Sequence, residues 1–257
     1  MLETAIDERG VARVRLCRPE RRNAFDETLV AALLGAFVGF AARPPRLVVL
    51  SGAGPAFCAG ADAAWMQRAA GWSEAENRAD AERLSEMLAA VDSCPAPVIA
   101  EVQGAAIGGG AGLVACADMA VAHPDTVFAF SEVRLGLTPA TISPFVLRAI
   151  GPRAARRWFL TAERFGAEQA LAMGLIHAVS ETPAAVVEAW TSAILEAAPG
   201  ALAEAKRLVA DVAGRPITPE LRAETAARIA ARRASAEARE GTAAFLARRT
   251  PSWTGRP

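Results

Sequence analysis

The chain has 257 residues, equal numbers of acidic and basic side chains (28 each) and so no formal net charge, with 53% hydrophobic and 22% charged residues. This is the profile of a folded globular protein, with enough length for one large domain or a core with a small appendage. Zero net charge argues against nucleic acid as the main partner, and no apolar run reaches the roughly 18 residues of a membrane span. The N-terminus lacks the basic-then-apolar layout of a signal peptide. Four scattered cysteines, Cys17, Cys58, Cys94 and Cys116, read as reduced thiols and form no metal-ligand spacing, which places the expectation in the cytoplasm.

Residues 11–16, Val-Ala-Arg-Val-Arg-Leu, alternate as a half-buried strand does. The polar loop Arg18-Pro19-Glu20-Arg21-Arg22-Asn23 follows, and Asp26 is placed to cap a helix running through Leu29, Leu33, Phe37 and Phe40. Leu47-Val48-Val49-Leu50 is short, apolar and β-branched, the pattern of a strand buried on both faces. Leu84, Met87, Leu88 and Val91 fall at helical spacing, and Pro95 and Pro97 stop that helix. Val98–Val102 reads as the next strand and Val127–Phe130 as a further one. Strands alternating with helices predict an α/β fold with parallel pairing. After Ala198-Pro199-Gly200 the sequence becomes helix-compatible and rich in Ala, Glu and Arg. A core over 1–195 and a helical region over 196–257 are therefore expected, the latter packed on the core or on a neighbouring subunit.

Two glycine-rich stretches follow strands. The first is Gly52-Ala53-Gly54-Pro55-Ala56-Phe57-Cys58-Ala59-Gly60-Ala61-Asp62, the second Gln103-Gly104-Ala105-Ala106-Ile107-Gly108-Gly109-Gly110. Small residues let the backbone approach a ligand, and glycines at a helix start leave N–H groups pointing outward with the helix dipole behind them. One N–H from each turn could hold a carbonyl oxygen that gains charge during reaction; the plainer alternative is a pair of tight strand-to-helix turns. No Gly-Lys-Ser/Thr follows either cluster, and the glycine spacing does not suit a dinucleotide. Glu132 ends the apolar run Phe128-Ala129-Phe130 and is a candidate general acid or base, because a carboxylate there is costly unless exposed, paired or functional. His123 and His177 form no ligand-spaced pair and read as structural. Trp65 is expected to pack, or to line a pocket near the first turn.

Taken together, these blocks resemble the enoyl-CoA hydratase/isomerase, or crotonase, family. The resemblance rests on Arg18–Phe25, Phe57–Asp62, Gly108–Gly110, Ser131–Gly136, Leu160–Phe165, Ala172–Ile176 and Glu240–Arg249, in order over nearly the whole chain. It implies a spiral of ββα turns with a C-terminal helical trimerisation region, giving trimers or hexamers. It also implies an acyl-CoA substrate, with coenzyme A as part of the substrate and no separate cofactor or metal. The oxyanion hole would come from the backbone of Ala61 and Gly109, bordered by Gly60 and Asp62, with Glu132 as acid/base. Coenzyme A phosphates would meet Arg21 and Arg22, with Phe245 and Arg248 of a C-terminal helix from a neighbouring subunit; a solvated charge run is the alternative.

The family's best-known hydratases carry a further glutamate where this chain has Gly112. The stretch Gly109–Ala115 with Ser131–Pro144 is similar to bacterial 3-methylglutaconyl-CoA hydratase-like proteins, whose substrates carry a second carboxylate. Hydration of a 2-enoyl-CoA is the reading this favours. A Δ3,Δ2-enoyl-CoA isomerase using Glu132 alone and a silent acyl-CoA-binding homologue are the alternatives. Thr141 and Ser143 have hydroxyls suited to a water, or cap a turn. Arg134, two residues beyond Glu132, would share its face on a continuing strand and meet a distal carboxylate, or else face solvent.

Overall fold

The computed structural model describes residues 1–254. β1 (Leu2–Ile6) and β2 (Val11–Leu16) form a hairpin. Its turn is held by the Asp7 carboxylate, which accepts from the Val11 N–H at 3.0 Å. α1 (Glu27–Ala42) begins where Asp26 accepts from the Leu29 N–H at 2.8 Å, and it buries Leu29, Leu33, Phe37 and Phe40 as expected. β3 (Leu47–Gly52) leads through the first glycine-rich turn into α2 (Ala63–Ala69) and α3 (Glu74–Asp92). β4 (Val98–Val102), the short β5 (Ala105–Ile107) and α4 (Gly109–Cys116) follow, then β6 (Met119–Ala122) and β7 (Val127–Ala129). α5 (Ser143–Thr161) is broken at Gly151, where φ is 73°. β8 (Phe165–Gly166), α6 (Ala167–Ala172), β9 (Ala178–Val179) and α7 (Pro183–Glu196) complete the sheets and their cover. α8 (Pro199–Val212), α9 (Pro219–Arg233) and α10 (Ala236–Leu246) end the chain.

The main sheet has the order β1-β2-β3-β4-β6-β9, parallel throughout except for the β1–β2 hairpin. A second sheet, β5-β7-β8, lies beyond the C-terminal ends of these strands, since β5 follows β4 across Gln103 and Gly104. The uninterrupted apolar run of β3 is explained by burial on both sides. Val48 and Leu50 join the larger core with Leu33, Phe37 and Leu88, while Leu47 and Val49 join Val187 and Ile194 of α7 on the opposite face. In α8–α10 the buried side chains are Leu221 and Ala244 alone among the described residues. That region is tied down by polar contacts: Lys206 pairs with Asp118 at 2.7 Å, and Arg46 donates to the carbonyls of Leu195, Ala197 and Trp253. The break between residues 195 and 196 falls at the last residue of α7. Among the described residues no helix is long and apolar enough to cross a membrane.

Candidate active site

The site is assembled by three segments that follow the strands. The loop after β2 is locked by Asn23, which is fully buried and left-handed (φ 56°). Its Oδ1 accepts from the Arg18 N–H at 2.8 Å, and its Nδ2 donates to the carbonyls of Ala53 (2.9 Å) and Ala56 (2.8 Å). Arg18 pairs with Asp26 at 2.9 Å and Asp62 at 3.3 Å, so one guanidinium fixes the caps of both α1 and α2. Asp62 Oδ1 accepts from the Ala64 N–H at 2.8 Å. Burial alone would raise its pKa, but the N–H groups of Ala64 and Trp65 with Arg18 and Arg21 hold the carboxyl below the usual carboxylate range. Asp62 is thus an ionised cap and not a proton acceptor for chemistry.

Phe25 joins the two glycine-rich turns. Its N–H donates to Gly60 O at 2.7 Å and its carbonyl accepts from the Asp62 N–H at 2.8 Å, a parallel bridge centred on Ala61. In this pairing the Ala61 N–H points away from Phe25, and no acceptor serves it among the described residues. The opposite side of the same segment is stitched to β5: Cys58 N–H donates to Ala105 O and Ile107 N–H to Cys58 O, each at 3.0 Å. Gly60 needs both its positive φ (90°) and its missing side chain, because a Cβ there would lie 2.9 Å from Ile107 O. Gly109 opens α4, so its N–H has no intrahelical acceptor, and no other is present among the described residues. The Phe25 ring packs on Gly109, with Cε2 3.0 Å from where a Cβ would stand. Two unpartnered N–H groups, from Ala61 and Gly109, therefore flank one phenylalanine. Cys58, inside the first turn, is inert because burial pushes its thiol up to about 12.

Glu132 comes from β7, though not as a strand residue. β7 ends at Ala129, and residues 132–135 form a 3-10 turn closed by left-handed Gly136 (φ 73°). This turn brings Glu132 Oε1 to 2.9 Å from the position of a Cβ on Gly108. Oε2 is buried and has no hydrogen-bond partner, and burial raises the carboxyl pKa above the ordinary glutamate value. No ion pair involves Glu132 among the described residues. A carboxyl so placed keeps its proton to higher pH than an exposed glutamate does.

The region beside Gly112 is filled. A Cβ there would lie 2.2 Å from Ile142 Cγ2 and 2.7 Å from Ile142 Cβ, and Ile142 is 1% exposed. Among the hydroxyls at the head of α5, Ser143 Oγ donates to Ala140 O at 2.8 Å as part of the turn.

The 3-10 turn corrects the expectation for Arg134. With no continuing strand, Arg134 does not share a face with Glu132 by strand alternation. It is exposed and lines a cavity of about 630 Å³ with Arg157, Trp158, Glu163 and Arg164. Arg21 and Arg22 are exposed on the loop after β2, and Arg21 is near enough to act on Asp62. Phe245, 81% exposed, and Arg248 belong to the C-terminal end of the chain. There Trp253 Nε1 donates to Glu196 O and the Trp253 carbonyl accepts from Arg46, beside the start of β3. His177 accepts from the Ala120 N–H at 3.2 Å, and His123 stands beside Asp125 and Glu181, both away from the site segments. Trp65 is buried, and its Nε1–H has no acceptor. Asn23, Phe25, Gln103 and Ile142 emerge as site-building residues only in three dimensions; Gln103 Nε2 donates to Gly52 O at 2.6 Å, joining the two turns.

A parallel-sheet α/β scaffold carrying two unpartnered N–H donors and a half-buried carboxyl is an arrangement that can serve a substrate developing an oxyanion. The sequence model of the enoyl-CoA hydratase/isomerase family matches residues 7–256, and the chain belongs to that family. It is 33% identical over 249 residues to a Thermus thermophilus protein whose name assigns it provisionally as an enoyl-CoA hydratase, covering 96% of this chain and 98% of that one. Among solved structures, an enoyl-CoA hydratase from Shewanella pealeana is similar with a TM-score of 0.95 and 39% identity, over 98% of this chain and 95% of that one. Pseudomonas aeruginosa AtuE is similar with a TM-score of 0.94 and 34% identity, over 99% of both chains.

Proposed function

We propose that the protein adds water across the 2,3-double bond of an enoyl-CoA through an enolate held by Ala61 and Gly109. The observation that carries this reading is the pair of unpartnered N–H groups on either side of Phe25, with the buried Glu132 carboxyl at Gly108. The thioester oxygen accepts from both N–H groups. As water attacks C3, the π electrons move toward C1, the oxygen gains charge, and the fixed donors favour that state; each such donor lowers the barrier by about 3 kcal/mol. Glu132 takes the proton from the attacking water and delivers a proton to C2 as the enolate collapses. The names of relatives, such as the Shewanella pealeana enoyl-CoA hydratase, support water addition.

The acyl chain proposed is a branched glutaconyl type, as in 3-methylglutaconyl-CoA, on the similarity of residues 131–144 described above. Coenzyme A would lie along Arg21 and Arg22, completed by Phe245 and Arg248 of a neighbouring copy in a trimer or hexamer; the exposed Phe245 ring, bare on a single chain, supports a second copy as its cover.

One observation favours a second reading. Ile142 fills the volume beside Gly112, leaving Glu132 as the one carboxylate among the described residues placed for proton transfer at the site, which suits a Δ3,Δ2-enoyl-CoA isomerase. Incubation with crotonyl-CoA, 3-methylglutaconyl-CoA and a 3-enoyl-CoA, followed by mass spectrometry, separates the readings. Gain of one water on a 2-enoyl substrate is the expected result. A moved double bond at constant mass would replace it with the isomerase, and no conversion of any of the three would leave a silent acyl-CoA binder.

A further inference from the structure

Gly109 and Gly112 lie along the first turn of α4, and Gly108 is the non-helical residue that caps it. Gly109 supplies an unpartnered N–H, and Gly108, four residues before Gly112, borders the Glu132 carboxylate. Residues three apart share a helix face, so a side chain at 112 would rise on the face of Gly109, one residue from the cap that borders Glu132. That direction is closed. The Ile142 side chain stands at 2.2 Å and 2.7 Å from the Cβ position of residue 112, much closer than carbon atoms approach without bonding. Ile142 is held there by its place at the head of α5, where its carbonyl accepts from the Phe145 and Val146 N–H groups at 3.2 Å and 3.1 Å.

We propose that Ile142 is the specificity-determining residue of this site: it occupies the volume beside Gly112, bars a second carboxylate, and so decides how the bound enolate is divided between proton transfer and water addition. The inference rests on the acyl-CoA reading above and deepens it. Proton exchange at C2 needs one carboxylate, which removes the proton and returns another. Water addition breaks an O–H bond, forms C3–O and forms C2–H, so the water must be held and deprotonated while C2 is protonated. With Ile142 in place both tasks fall to Glu132, and the ratio of water added to C2 protons exchanged is low. A carboxylate at 112 would divide the tasks and raise that ratio.

The test uses the full-length protein and three variants: Gly112→Glu, Ile142→Gly, and the two combined. Thermal unfolding of all four forms a double-mutant cycle, and C2 exchange of butyryl-CoA in D2O is measured beside hydration of crotonyl-CoA. The expected result is that Gly112→Glu alone lowers the unfolding midpoint and that Ile142→Gly in the same chain recovers part of the loss. The combined variant should raise the hydration-to-exchange ratio about tenfold or more, the scale of one added general base. Ile142→Gly alone supplies a readout that does not depend on the glutamate variant folding: added formate should accelerate its hydration of crotonyl-CoA and leave the parent unaffected. Additive unfolding shifts would show that Ile142 does not fill the 112 position. An unchanged ratio in a folded combined variant, or no formate effect on Ile142→Gly, would show that the volume does not reach the reacting carbons. If the parent exchanges no C2 proton, the acyl-CoA reading itself fails, while the unfolding cycle still reports on the steric contact.

Discussion

Gly108→Ala places a methyl group where the structure has room for none. The residue sits at φ 52° and ψ −117°, a conformation for glycine alone, and the new Cβ would stand 2.9 Å from Glu132 Oε1. Forcing alanine into such a backbone costs on the order of 1–3 kcal/mol, and relieving the contact displaces the Glu132 carboxylate by roughly half an ångström. For a chain of this size, about 1 kcal/mol of destabilisation lowers the melting temperature by roughly 2–4 °C. Misplacing a catalytic group by 1 Å costs about a hundredfold in rate, so a displacement half as large predicts a loss of about tenfold. Differential scanning fluorimetry reads the first effect, and deuterium uptake at C2 of butyryl-CoA in D2O reads the second. The loop at Arg21 and Arg22, proposed above to meet coenzyme A, is untouched, so butyryl-CoA affinity by calorimetry should change little. Exchange at the parent rate in a folded Gly108→Ala protein would refute the reasoning, because Glu132 would then not be the group that moves the proton.

Further outcomes follow from the same geometry. Asn23→Ala removes a fully buried amide that joins three backbone groups, leaving them unpaired in a left-handed position; a loss of about 2–4 kcal/mol is expected in urea unfolding. Glu132→Gln should raise stability at neutral pH while abolishing proton transfer. The sign follows from burial: the folded-state pKa is raised, so the folded protein holds the proton more tightly than the unfolded chain. The stability this lends is present below the unfolded-state pKa and is lost as pH rises through the folded-state value, where the buried charge must form. The stabilisation by Gln should therefore be seen at pH 7 and vanish near pH 4; a variant that is less stable at both would contradict the buried placement of Oε2. Arg21→Ala with Arg22→Ala should raise KM for acyl-CoA more than it lowers kcat, checked by steady-state kinetics at two salt concentrations.

Much of the scaffold was legible along the chain because its signals are local. Alternation in β2, the doubly buried run of β3, the Asp26 cap and the periodicity of α1 each depend on neighbours a few residues apart. The short strands were not: β8 is two residues long, and its partner β7 lies nearly forty residues earlier, as in the pairing of Phe128 with Phe165. Glu132 was visible as an isolated carboxylate after an apolar run. Its true setting, a 3-10 turn closed by Gly136, depended on a left-handed glycine that could equally end a strand. Gly112 was visible as a missing glutamate. That Ile142 fills its place was hidden, because thirty residues separate the two and only the packing of α4 against α5 brings them together. Asn23 likewise reads as a loop asparagine until its amide is seen between Ala53 and Ala56.

The central claim is that Glu132 moves a proton at C2 of an acyl-CoA whose thioester oxygen is held by the Ala61 and Gly109 N–H groups. The most direct measurement is deuterium incorporation at C2 of butyryl-CoA in D2O, by mass spectrometry, for the parent and for Glu132→Gln. Uptake by the parent with a loss of at least about a hundredfold in a folded variant, on the scale of a lost general base, is the predicted result. Equal uptake by both proteins would contradict it.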